Sequence, residues 1–151
     1  MEMIRKMKFK SKEIVIKLSV SDISKSIKFY QEVLGFKIDD RYTLNSGENY
    51  GMESYIQLYL GDKDEKSFML GLYKDIETPF YPLPETGTVP SFIVEDIQAT
   101  LDYFRAHEVV IDVLDGVIIN TNTSDEGYVD RFFFFRDPDN NSLVVRENIL
   151  K

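Results

Sequence analysis

The chain contains no cysteine, and that one absence removes disulfides, thiolate metal sites and cysteine nucleophiles together. Histidine is nearly as scarce, with His107 the only one among 151 residues. It falls near the end of a helical stretch, on its outward surface, which is no place for the base of a Ser-His-Asp triad. Long hydrophobic runs are missing too. No segment approaches the roughly 20 apolar residues of a membrane span, and Met1-Glu2-Met3-Ile4-Arg5-Lys6 lacks the unbroken apolar stretch of a signal peptide. A cytoplasmic protein without membrane contact is expected. Positive charge is in deficit, with 18 Lys and Arg against 26 Asp and Glu, a net charge of −8. Nucleic acids and anionic membranes both demand a basic surface, so neither is expected as a partner. The one basic run, Arg5, Lys6, Lys8, Lys10 and Lys12, reads as a solvated tail. The acidity suits a cationic ligand or serves solubility alone.

What is present is a repeat. Val20-Ser21-Asp22-Ile23 through Ile27-Lys28-Phe29-Tyr30 returns without a gap as Val94-Glu95-Asp96-Ile97 through Leu101-Asp102-Tyr103-Phe104. Each copy reads as the end of an apolar strand, an Asp able to cap a helix, then apolar residues at helical spacing. With 43% hydrophobic and 29% charged residues, the chain fits a single domain over 1–151 with a substantial core. Its two modules span about 13–75 and 88–148 around a linker at about 76–87. A binding site is expected where they meet.

Alternation predicts a half-buried strand at 14–20, with Ile14, Ile16, Leu18 and Val20 inward and Val15, Lys17 and Ser19 on the other face. The helix capped by Asp22 carries the stripe Ile23, Ile27, Tyr30 and Leu34, and Gly35 stops it. Strands follow at 55–60 and 68–73, preceded by the loop-like stretch 44–51. Pro79, Pro82, Pro84 and Gly87 mark the linker. In the second module the predicted elements are a strand at 89–94, a helix from Asp96 to about His107, strands near 109–113 and 117–120, and a hairpin joining 131–135 to 142–146. Its turn, Asp137-Pro138-Asp139-Asn140-Asn141, uses Pro to preset one dihedral and Asn to tolerate a left-handed one. That turn chemistry accounts for its acids better than calcium binding does. Each module reads approximately as β-α-β-β-β.

Two stretches resemble known signatures. Leu18 to Phe36, with Asp22, Tyr30, Leu34 and Gly35, and Phe132 to Val145, with Arg136-Asp137-Pro138 and Asn140, are similar to the opening and closing signatures of the vicinal oxygen chelate superfamily. That superfamily includes glyoxalase I, extradiol dioxygenases and bleomycin resistance proteins. The resemblance implies an α+β fold of two tandem βαβββ modules whose curved mixed sheets form a cup with helices outside, and a homodimer. It also implies metal ligands at four cup-facing positions, which in this chain are Val15, Gly71, Val89 and Val144. None offers an oxygen or imidazole donor, and three or four must converge on a divalent ion. No metal and no cofactor are therefore expected, which argues against the metal-assisted chemistry of the relatives.

The expected cup lining is Lys17, Ser19, Tyr55, Gln57, Tyr59, Met69, Tyr73, Ser91 and Arg146, with Phe132 and Phe134 joining if the last hairpin pairs Arg136 with Ser142. Aromatic walls with a few polar groups are usual in organic-ligand pockets. Lys17 and Arg146 oppose a cationic guest and suit a carboxylate or phosphate, unless nearby acids pair with them. The function expected is metal-independent binding of an aromatic or anionic small organic molecule, a toxic compound or natural product held out of circulation. The alternative is a glyoxalase-like lyase or isomerase on the same scaffold.

Overall fold

A computed structural model describes residues 8, 13–44, 50–62, 64–84 and 86–149. Most of the N-terminal basic run and residues 45–49 of the expected loop lie outside the described residues. The first module comprises β1 (Val15–Val20), α1 (Ile23–Lys28) continuing into a π-helical turn (Phe29–Val33), β2 (Lys37–Leu44), β3 (Tyr55–Gly61) and β4 (Lys66–Lys74). The second comprises β5 (Ser91–Ile93), α2 (Ile97–Ala106), β6 (Val110–Ile111), β7 (Asn120–Thr123), β8 (Val129–Arg136) and β9 (Ser142–Ile149). No described helix is long and apolar enough to cross a membrane.

Both helices begin as the repeat dictates. The Asp22 carboxylate accepts from Lys25 N at 3.1 Å and that of Asp96 from Ala99 N at 3.0 Å, each satisfying a donor the helix leaves open. Gly35, at φ +82°, ends the first helical segment in the left-handed conformation a side chain would resist.

The sheets repeat as well. The first has the order β1-β4-β3-β2 and the second β5-β9-β8-β6, with β7 also on β8; β1 runs parallel to β4 and β5 to β9. Counting back from the duplicated Val20 and Val94 makes Lys17 and Ser91 equivalent, and they pair with Gly71 and Val144 respectively. Duplication is thus visible in the register itself. The fold is α+β, two tandem modules with mixed sheets and helices on one face of each, consistent with a glyoxalase-type cup.

Two features differ from the pattern reading. Strand β2 occupies 37–44, where alternation assigns nothing, because the residue it buries is Asp39. In the second module the strand expected near 117–120 lies instead at Asn120–Thr123. Leu114 and Val117 exchange backbone hydrogen bonds of 2.9 Å around Asp115-Gly116, both at positive φ, and this tight hairpin lifts the chain off β8 between β6 and β7.

One apolar cluster runs through both modules, from Leu18, Val20, Ile23 and Leu58 to Ile97, Phe104, Phe133 and Leu143. All of these lie on the faces that carry the helices. The last hairpin pairs Arg136 with Ser142, which puts Phe133 and Phe135 in the core and leaves Phe132 and Phe134 on the opposite face. Its turn fastens the modules together. Asp139 Oδ1 accepts from Ser21 N at 2.9 Å and from the Ser21 hydroxyl at 2.5 Å, and Asp137 Oδ2 accepts from Tyr30 Oη at 2.9 Å. Of the two asparagines that the turn offers for a left-handed conformation, Asn140 takes it, at φ +67°.

Candidate functional site

The sheet faces turned away from the helices form two walls. On the first, the register aligns Lys17, Gly71, Gln57 and Asp39 in one row across all four strands, and Ser19, Tyr73 and Tyr55 in the next. On the second, Ser91, Val144 and Phe134 form a row, followed by Ile93, Arg146 and Phe132. Strand periodicity accounts for both sets, since alternate residues share a face.

Contacts within the first wall are dense. Tyr55 Oη donates to Gln57 Oε1 at 2.9 Å, and burial, followed by the charge of Asp39, raises the pKa of this hydroxyl, so it remains a donor. Lys17 Nζ donates to Ser19 Oγ at 2.9 Å and to Asp75 Oδ2 at 2.6 Å, and lies 5.4 Å from the centre of the Tyr73 ring. Tyr59 and Met69 are buried beside them. Three further residues complete the wall. Asp39, only 3% exposed, accepts from Arg41 Nε at 3.0 Å, Arg41 Nη2 at 3.1 Å and Lys66 Nζ at 2.9 Å. The Arg41 hydrogen bonds, assisted by Lys66, outweigh burial and hold its carboxyl well below the usual carboxylate range. Lys66 Nζ sits 5.1 Å from the Tyr59 ring centre.

Sequence reasoning missed Asp39, Arg41 and Lys66, because the stretch 37–44 has no apolar alternation from which a strand and its faces can be read. It did find Tyr55, Gln57, Tyr59, Met69, Tyr73, Lys17 and Ser19, which come together on one wall. Ser91 and Arg146 lie on the other. Arg146 Nε bonds Asp130 Oδ1 at 3.1 Å, so this lining cation, like Lys17, has a neighbouring acid.

Cavities open on both walls. One of about 330 Å³ lies against Asp39, Arg41, Tyr59 and Lys66. A second, of about 620 Å³, lies against Leu83, Val89, Phe134, Arg136 and Ser142, and a third, of about 440 Å³, against Tyr128, Asp130 and Arg146. Each takes wall residues from one module alone.

The four positions where the resemblance implies metal ligands do not fit a divalent ion. Three are valines without a donor atom. At the fourth, Gly71, the space a Cβ would take is already filled by the Tyr55 ring, whose Cε2 would lie 2.6 Å from it. Among the described residues no three His, Cys, Asp or Glu side chains gather as a metal site would require. His107 is exposed at the end of α2, with Nδ1 2.9 Å from Tyr103 O and its ring tilted against that of Tyr103.

Comparison with known proteins agrees with this architecture. Residues 14–145 match the family model described as Glyoxalase/Bleomycin resistance protein/Dioxygenase superfamily. The uncharacterized protein YwbC of Bacillus subtilis (strain 168) is 32% identical over 125 residues, 81% of this chain and 86% of that protein. A glyoxalase/bleomycin resistance protein/dioxygenase from Alicyclobacillus acidocaldarius superposes with a TM-score of 0.62 at 14% identity, covering 93% of this chain and 94% of that one. The trypanothione-dependent glyoxalase I of Leishmania major gives 0.56 at 25% identity, over 88% and 84%.

Proposed function

Since the chain belongs to the Glyoxalase/Bleomycin resistance protein/Dioxygenase superfamily, we propose that it binds a small organic molecule on the walls of its cup and does so without a metal ion. The observation that carries this reading is position 71. Where relatives of this kind are expected to place a ligand, this chain has a glycine, and the Tyr55 ring takes up the space. The valines at the other three positions turn ion-binding surface into apolar surface. Aromatic rings with anchored polar ends favour a flat guest.

The guest is an aromatic or anionic compound, sequestered in the cytoplasm as a toxic compound or natural product would be. Lys17 and Arg146 support the anionic feature, because an incoming carboxylate can take over from Asp75 and Asp130 with the same charge-assisted geometry. Cavities walled by one module each support a homodimer in which a second copy closes the cup.

The test is elemental analysis of the purified protein, followed by calorimetric titration with aromatic carboxylates before and after EDTA treatment. Substoichiometric metal and EDTA-insensitive binding are expected. A stoichiometric ion whose removal abolishes binding overturns the reading in favour of a glyoxalase-like lyase or isomerase. Binding unchanged in a Lys17→Ala, Arg146→Ala double variant overturns the anionic guest.

A further inference from the structure

The helix-bearing faces of the two sheets leave a gap where the modules meet. It is a cavity of about 290 Å³, lined mainly by helix-facing residues such as Phe36, Leu60, Phe92, Phe104 and Val145, with Ile93 of the edge strand β5 at its margin. Two polar side chains reach it, and both are already bonded to backbone. Tyr103 Oη donates to Val33 O at 2.7 Å and Thr100 Oγ1 to Asp96 O at 2.9 Å. Water needs two to four polar partners to settle in a cavity. This one offers ring edges and methyl groups instead.

Phe68 stands at the rim under conditions that packing does not explain. Leu58 pairs with Leu70 while Leu60 pairs with Ser67, so Phe68 and Met69 both face Tyr59 across a bulge. Phe68 sits there at φ +49°, a left-handed position that such bulges ordinarily give to glycine. A bulky side chain strains that backbone. Its ring is nonetheless 58% exposed, touching Phe92 edge-on at 6.3 Å, with Phe92 in turn against Phe36 at 6.2 Å. A residue that strains the chain and leaves its ring in water gains its contacts only when something fills the space beneath it.

We propose that this junction cavity is a second ligand site, separate from the cup, taking an uncharged aromatic molecule of one or two rings with Phe68 closing over it. The predominantly apolar lining, which carries no charged side chain, sets the neutrality, and the phenylalanine edges set the flat shape. Size follows from the volume, since an apolar cavity of about 150 Å³ holds benzene and this one is larger.

The probe is 6-propionyl-2-(dimethylamino)naphthalene, an uncharged two-ring fluorophore whose emission brightens and shifts to the blue when it leaves water; the chain has no Trp to interfere. Its emission is expected to rise saturably with the whole protein. Thr100→Phe, which plugs the cavity, abolishes the rise. Phe68→Gly, which suits the left-handed backbone, weakens affinity about 3- to 10-fold while Tm stays level or increases, and it serves if Thr100→Phe loses its thermal transition. Crystals soaked with 1-bromonaphthalene place the bromine, by its anomalous signal, beside Phe68 and Phe92. Absence of a saturable rise, a rise untouched by both substitutions, or bromine on the cup walls overturns the site. Failure of metal-free binding in the cup moves none of these readouts.

Discussion

Gly71 and Asp39 carry the sharpest consequences at the scale of single residues. Any side chain at 71 meets the Tyr55 ring, so Gly71→Ala is expected to cost about 1–3 kcal/mol by overpacking. Urea denaturation checks this, and in a Tyr55→Ala background the penalty falls, because the two positions are in contact and their effects do not add. Asp39 makes a prediction in pH. Its folded pKa lies below the ordinary value of about 3.9, so its stabilising contribution is complete above that value and is lost as pH falls below it. Thermal unfolding of Asp39→Asn should therefore show a deficit at neutral pH that shrinks on acidification. The same two residues show what sequence could reveal. The Tyr55, Gln57 and Tyr59 wall is legible because strand period two is all it needs. Asp39 is not, because an acid among charged neighbours looks solvent-facing until the fold brings Arg41 and Lys66 onto it.

Among elements, the closing turn at 137–141 does more than reverse the chain. Asp137 and Asp139 reach from the second module to α1 and the residue before its cap in the first. The repeat isolates one atom of this latch, for where the first module has Tyr30 the second has Phe104 at the equivalent place. Tyr30→Phe deletes only the hydroxyl that donates to Asp137. The expected loss is about 1.5–3 kcal/mol, the usual worth of a buried hydrogen bond to a charged group, with an unchanged denaturant slope. Burial raises the Asp137 pKa, so its charged form is tolerated only through such donors. Turn composition made the hairpin and an asparagine in the left-handed conformation legible. The latch was not, since it depends on which helix the turn meets. Strands β6 and β7 were legible as two but not in their bounds, for a related reason: only the ladder to β8 shows that the second begins at Asn120 and runs to Thr123.

For the whole molecule, the repeat announced two modules, and their helix-bearing faces are joined through a common core. Each chain then presents one wall from each module, and apolar side chains stay exposed beside them: Val15 on the first wall, and Val110, Val113 and Leu114 around the cavity of about 620 Å³ on the second. The proposed homodimer would cover this surface. A two-fold pair of chains that sets the first wall of one copy against the second wall of the other makes two equivalent cups, each drawing Lys17 from one chain and Arg146 from its partner. Sedimentation should show a dimer, reduced to a folded monomer by Leu114→Asp at the hairpin tip. Mixing tests the arrangement directly. Lys17→Ala and Arg146→Ala chains each bind an aromatic carboxylate weakly by themselves, yet when unfolded and refolded together at equal concentration they form mixed dimers in which one cup has lost both cations and the other neither. Random pairing makes about a quarter of all cups native, and calorimetry should recover wild-type affinity at that stoichiometry. Were each cup built within one chain, no mixture of the two variants would recover any.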